Sequence, residues 1–140
     1  MPPTAVKRLS ALSCAAALAA TLAACGTTVS TSGFKGAQHD VAQTISDLQA
    51  DATAGDQKKV CGRDLSAAVV ARLGGRAGCE RSIKQQLQEL DNLELNVDSI
   101  QLSGAASATA KVKSIYSGKK RARTVSLVKE GSRWKVAAIS

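Results

Sequence analysis

Aromatic side chains are almost missing from this chain: one Phe, one Trp and one Tyr in 140 residues. Single-stranded nucleic acid is held largely by stacking its bases on aromatic rings, so that partner class is argued against in spite of a formal charge of +8. Histidine is scarcer still, since His39 stands alone. A structural zinc needs about four ligands with short internal spacing such as Cys-x-x-Cys. Cys61 and Cys79 are 18 residues apart, which fits neither that framework nor the close spacing of a redox pair. No cleanly spaced Ser, His and Asp set and no phosphate-cradling glycine loop is present, so no catalytic residue, metal or cofactor is expected. Long apolar runs are lacking too. A membrane span needs roughly 20 strongly apolar residues, whereas residues 9–24 are fewer, alanine-rich and poor in Leu and Ile.

What is present begins with an address. Lys7 and Arg8 precede the uncharged residues 9–24, and the positive start, apolar middle and small-residue end make a secretory signal rather than part of a fold. The signal closes on Leu22-Ala23-Ala24-Cys25, followed by Gly26. That order resembles the lipobox of bacterial lipoproteins. The resemblance implies that the Cys25 sulfur receives a diacylglyceryl group, that the chain is cut just before it, and that the new amino terminus is acylated, for example by palmitate. Two or more acyl chains anchor stably where one holds only marginally. Cys14 competes poorly, because Ala11 stands where the leucine belongs and the apolar run before it is short. The competing reading is an ordinary cut after Ala17-Leu18-Ala19, with Cys25 incidental. The expected location is the outer face of the cell membrane, reached through the lipid.

The chain thus divides into three segments: a signal peptide over 1–24, a lipidated cysteine with a flexible linker over 25–37, and a single α+β domain over 38–140. Residues 26–36 are rich in Gly, Ser and Thr without an apolar period, the composition of a flexible tether. Removing 1–24 leaves 116 of the 140 residues, enough for one small domain. The charge falls from +8 to +6, because Lys7 and Arg8 leave with the signal. Outside the cell thiols are not kept reduced, so Cys61 and Cys79 are most simply a disulfide. Closing that loop adds about 3 kcal/mol in the chain-entropy account.

The domain has a helical half and a strand half. Val41, Ile45, Leu48 and Ala52 recur at helical spacing, with Asp40 as N-cap, Gln43 three residues on, and Gly55 as stop. Asp56 caps a short second helix carrying Val60 and Cys61. After a break at Gly62-Arg63-Asp64, Leu65, Val69 and Leu73 mark another helical piece ending at Gly74-Gly75. A further helix begins near Cys79 with Ile83, Leu87 and Leu90 as its buried stripe. Beyond the turn at Asp91-Asn92 the period changes to two. Leu93, Leu95 and Val97 alternate, and Ile100 and Leu102 resume out of step, which predicts a bulge near Asp98-Ser99. A strand over 106–116 turns inward Ala108, Ala110, Val112 and Tyr116. Ser117-Gly118-Lys119-Lys120 reads as a turn, and a strand over 121–129 buries Val125 and Leu127. The hairpin Glu130-Gly131-Ser132 leads into Trp134, Val136 and Ala138.

Helices followed by a curved antiparallel sheet of about four strands, closing on Gly131-Ser132-Arg133-Trp134-Lys135-Val136, resemble the nuclear transport factor 2-like fold, also called cystatin-like or ketosteroid-isomerase-like. More narrowly, the chain is similar to small actinobacterial lipoproteins of that superfamily with one cysteine in the second helix and one in the third. The resemblance covers residues 40–140. It implies a cone-like α+β fold, and in the enzymes of that superfamily Asp, Tyr or His inside the cone. Here His39 reads as a surface residue, Tyr116 as a half-exposed strand end, and Asp47 and Asp51 as one solvated helix face. Asp91 and Asp98 read as turn and bulge residues. A non-catalytic role is expected.

Charge is the stronger signal. Lys111, Lys113, Lys119, Lys120, Arg121 and Arg123 cluster around one hairpin, and alternation puts several of them on one solvent face. Two readings fit: lysines guarding a strand face against edge pairing, or contact with anionic lipid, acidic wall polymer or an envelope protein. Trp134 reads as a core ring, and the alanine content predicts close packing with little room for a large cavity. These residues fit two functions of different class: a membrane-tethered binding or accessory module, or a small-molecule carrier or degenerate enzyme with a pocket beneath Trp134. A closed interior with every basic group outside favours the first. An open pocket holding a buried Asp, His or Tyr favours the second.

Overall fold

A computed structural model describes residues 29–90, 93–116 and 118–140. The signal, Lys7, Arg8, Cys14, the lipobox with Cys25, and Asp91, Asn92 and Ser117 lie outside the described residues. Among those described, no helix is long and apolar enough to cross a membrane.

The elements run α1 (Ala37–Thr53), α2 (Gln57–Lys59), a π-helical turn (Val60–Asp64), α3 (Ala67–Arg72), α4 (Gly75–Gln88) and four strands. These are β1 (Glu94–Leu102), β2 (Ser107–Tyr116), β3 (Lys119–Glu130) and β4 (Arg133–Ile139). The strands form one antiparallel sheet in the order β1-β2-β3-β4. This is the expected α+β architecture, helices on a curved four-stranded sheet.

The apolar period of α1 does what its spacing requires: Val41, Ile45, Leu48 and Ala52 are all buried. The helix starts three residues before the predicted cap. Gly36 precedes it without a side-chain cap, Asp40 lies in the first turn, and Gln43 donates to Asp47 Oδ1 at 3.0 Å instead of closing a capping box. Gly55 ends the helix with φ +68°, a conformation side-chain-bearing residues resist. Asp56 caps α2 by accepting the Lys59 backbone N–H at 3.0 Å, and that bond holds its carboxyl below the usual range. Leu65 does not belong to the next helix: it makes a parallel bridge to Val136, and Ser66 caps α3. Only Leu73 and Gly74 separate α3 from α4, a turn so tight that a Cβ on Gly78 would stand 2.1 Å from the Leu73 carbonyl oxygen. The last helix therefore begins at Gly75, ahead of Cys79. Cys61 in the π turn and Cys79 in α4 are joined by a disulfide, their Cα atoms 6.0 Å apart.

In the sheet, the register shifts between Val97 and Ser99, as the broken alternation predicts, and Ile100 returns to the buried face. A second shift has no signal in the alternation. Leu127 pairs with Val136 but Ser126 pairs with Ala138, so β4 carries an extra residue opposite β3. The bulge reverses the face of the last strand residues: Ala138 leaves the inner face, and Ile139, itself 55% exposed, takes the place beside Val125 on the open cavity wall. Leu102, expected inside, is exposed.

Both edges of the sheet are covered by side chains and loops. Along β1, Gln38 Nε2 donates to Ile100 O at 2.9 Å and Gln49 Oε1 accepts the Leu95 N–H at 2.6 Å. Along β4, the Ser66 N–H donates to Val136 O at 2.9 Å and Arg72 Nη2 donates to Ala137 O at 3.3 Å. Free strand edges template further pairing, and these bonds occupy parts of both.

Packing also starts earlier than composition suggests. Val29 is 4% exposed within the core and Phe34 packs against it, although both lie in the stretch that reads as a flexible linker.

Candidate functional site

The helical layer does not cover the sheet evenly. Helix α1 packs on β1 and β4, whereas α4 packs principally on α2, α3 and the π turn. The disulfide and the tight α3–α4 turn hold α4 there. Ile83, Leu87 and Leu90, expected to be a buried stripe, are only half-buried. Between them and the sheet lies a cavity of about 830 Å³. The opposing wall is Leu95, Val112, Val125 and Ile139 from the four strands, and Leu48 and Ala52 of α1 close its inner end. The expectation that an alanine-rich domain leaves little room is therefore overturned. Alanine lets backbones approach only where elements actually stack, and α4 is held off the sheet by its own neighbours.

The rim carries the charge. Across β2 and β3, Val112 pairs with Arg123, Ser114 with Arg121 and Tyr116 with Lys119. Directly opposed residues share a sheet face, and Val112 is 1% exposed on the inner one. Lys119, Arg121 and Arg123 thus stand on the cavity side and line its mouth. Lys119 and Lys120 belong to β3 rather than to the turn. Lys111, Lys113 and Lys120 point to the opposite, convex face. The six cations expected as one surface cluster are divided three and three by the strand period. Counting back by twos from the buried Val125 would have placed them correctly.

The two sets also differ in partners. On the convex face, Lys113 Nζ stands 3.1 Å from Asp98 Oδ2, and Lys111 Nζ donates to Thr124 Oγ1 at 2.9 Å. Among the described residues, no carboxylate lies within 4.0 Å of Lys119, Arg121 or Arg123, and all three are exposed. Tyr116 closes the rim, its hydroxyl donating to the backbone carbonyl of Glu89 at the end of α4.

A second, smaller feature lies under Trp134, a polar cleft of about 230 Å³ between α1, the π turn and the β3–β4 hairpin. Arg63 bridges two carboxylates here, donating through Nη2 to Asp51 Oδ2 and through Nε to Asp64 Oδ1 at 3.3 Å. Asp51 does not belong to a solvated face: it is buried, because the π turn folds Arg63 onto that side of α1. Asp64 is 1% exposed, and burial pushes its carboxyl up to about 7, Arg63 opposing that shift and the Asp51 charge adding to it. Asp64 Oδ2 and Trp134 Nε1 have no hydrogen-bond partner among the described residues. Trp134 is a core ring at 4% exposure. The large cavity is therefore not beneath it, and its cleft falls below the roughly 300 Å³ of ordinary small-molecule sites. His39 stays near the surface, 3.8 Å from its neighbour Asp40 and away from the cavity.

No protein-family profile matches the sequence, and no curated protein matches it. Solved structures do match its fold. One is the crystal structure of a protein assigned as an NTF2-like transpeptidase from Campylobacter jejuni, with a TM-score of 0.52 at 15% identity over 69% of this chain and 95% of that one. Another is a variant of the designed NTF2 protein Rd1NTF2_05, with a TM-score of 0.50 at 14% identity over 74% of this chain and 97% of that one. At such identities the likeness speaks for the fold alone, and it meets the element order and curved sheet described above: the chain has an NTF2-like fold.

Proposed function

We propose that this chain is an exported lipoprotein, anchored at the outer face of the cell membrane through Cys25, whose NTF2-like domain is a non-catalytic binding module that receives a ligand in the cavity under α4. The observation that carries the reading is the cavity itself, whose volume of about 830 Å³ lies within the roughly 300–1,000 Å³ of small-molecule sites. Its described wall is aliphatic, and its polar members are Gln86, Ser114, Tyr116 and the three rim cations. None of these is a carboxylate or imidazole placed to move a proton at neutral pH. The arrangement combines features of both sequence-derived readings: the interior is open, as a carrier requires, while the one strongly perturbed carboxyl among the described residues, Asp64, lies in the separate cleft.

The anchor is supported by residues 1–25 and is tested by metabolic labelling with palmitate. The native chain is expected to take up label and sediment with membranes, and Cys25→Ser to lose both; membrane retention of an unlabelled wild type would overturn it. The binding role is tested with the mature chain, residues 25–140 carrying Cys25→Ser, titrated with a neutral apolar fluorophore such as N-phenyl-1-naphthylamine. Saturable binding that Ser114→Trp abolishes is expected. Absence of saturable binding to the folded, oxidised chain would sink the cavity reading.

A further inference from the structure

We infer that the ligand of this cavity is a single-chain amphiphile with an anionic head, its acyl chain lying between α4 and the sheet and its carboxylate or phosphate held by Lys119, Arg121 and Arg123. The inference rests on the cavity-binding reading above and adds the ligand's chemical class.

Polarity along one strand face makes the case. From the inside outward, the cavity-facing residues of β3 are Val125, Arg123, Arg121 and Lys119. Alternate residues of a strand are about 6.6 Å apart, so an apolar wall passes directly into a cationic ladder at the mouth. Cations guard against pairing on an edge strand, but β2 and β3 are the two inner strands of the sheet, and these three face its concave side. A guanidinium or ammonium at the lip of an apolar cavity sits where the dielectric is lowered on one side, which strengthens its attraction for an anion relative to open water. Two of the three are arginines, whose planar donors match carboxylate or phosphate oxygens two at a time. None has a carboxylate partner among the described residues, so no ion pair with those residues has to be broken to receive the head.

The interior fixes the tail. Apart from Ser114 and Gln86, the described wall inside the rim is aliphatic, with Leu48, Leu87, Leu90, Leu95 and Val112 prominent. Such a surface offers no hydrogen-bond pattern to a polar ring or a sugar and gains from every methylene it takes out of water. The volume suits one chain with part of a head and is small for a two-chain phospholipid entering whole.

The test is competition against the bound neutral fluorophore, with the same mature Cys25→Ser chain and every competitor below its micellar concentration. Palmitate and palmitoyl-lysophosphatidylglycerol are compared with monopalmitoylglycerol and with hexadecyltrimethylammonium, which keep the chain but carry neutral or cationic heads. The anionic pair is expected to bind at least tenfold more tightly than the neutral one, the gap narrowing as salt rises. Shortening the chain should weaken binding by about fourfold per methylene. In Lys119→Glu/Arg121→Glu/Arg123→Glu the ratio of anionic to neutral affinity should fall to one or below; if that variant fails to fold, the triple Gln variant carries the same readout. Lys111→Glu/Lys120→Glu on the convex face should leave the ratio at its wild-type value. Palmitate and the lysophospholipid together report whether a bare carboxylate suffices or a phosphate is preferred. Equal binding of anionic and neutral heads would overturn the ligand class while leaving the cavity reading intact; failure of the fluorophore itself to bind would overturn the cavity reading. Binding only to intact anionic vesicles, with no displacement by monomeric amphiphile, would also overturn it in favour of a membrane-surface contact.

Discussion

Leu127 and Arg121 occupy the same face of the same strand, yet one is 1% exposed inside a packed core and the other stands at an open mouth. At the closed end, Leu127 meets Val136, Trp134 and the Val41–Ile45 stripe of α1 in one continuous apolar cluster. At the open end, α4 stands away from the sheet and β3 continues inward-facing but cationic. The difference teaches that alternation fixes only which way a side chain points. Whether that direction is interior or mouth depends on how far the covering helices reach.

The comparison can be broken most directly by equal truncations at its two ends. Leu127→Ala should cost about 2–5 kcal/mol, because its neighbours cannot close over the gap, whereas Leu90→Ala should cost about 1 kcal/mol or less, since its side chain already faces open space on one side. Urea midpoints compare them; matching losses would mean that the cavity collapses in solution. Next in size is the clamp that holds α4 in place. Cys61→Ala/Cys79→Ala should lower stability by about 3 kcal/mol and weaken fluorophore binding along with it. A destabilised variant with unchanged binding would show that the cavity does not depend on the clamp.

A third test sharpens the contrast between the cationic mouth and the buried Arg63 cluster. The Asp64 carboxyl is raised in the folded state to about 7, so the folded chain holds this proton more tightly than the unfolded one. Its contribution is complete below the ordinary carboxylate range near pH 4 and is lost as pH rises through about 7. The urea midpoint of Asp64→Asn should lack the fall that wild type shows between pH 5 and pH 8; parallel curves would refute the assignment. The smallest effect belongs to the convex face. Lys111→Glu/Lys120→Glu should change stability by about 0.5 kcal/mol at most and leave fluorophore affinity unaltered.

The sequence is informative where a residue's partner lies nearby in the chain. The α1 stripe, Gly55, the Asp56 cap and the Val97–Ser99 bulge all follow from local spacing, the Cys61–Cys79 pair from the small number of cysteines, and the element order carries the NTF2-like resemblance. The features that escape it depend on distant contacts. The second bulge, which puts Ile139 on the cavity wall, exists only opposite β3. The burial of Asp51 comes from Arg63 folding across from the π turn, and the cavity comes from where α4 is held. The placement of Lys119, Arg121 and Arg123 is legible in the strand period, but grouping the six cations as one cluster around the hairpin hides it.

Val29 gives the proposed tether a length scale. Because it is buried in the core, only residues 26–28 separate the packed domain from Cys25, a reach of at most about 14 Å even at full extension. With Cys25 acylated, that leash is less than twice the roughly 8 Å screening length of physiological salt. The protein would then behave less like a solute than like part of the membrane's ionic double layer. Its encounters would be set by copies per unit area, and Lys119, Arg121 and Arg123 would feel the local lipid composition continuously.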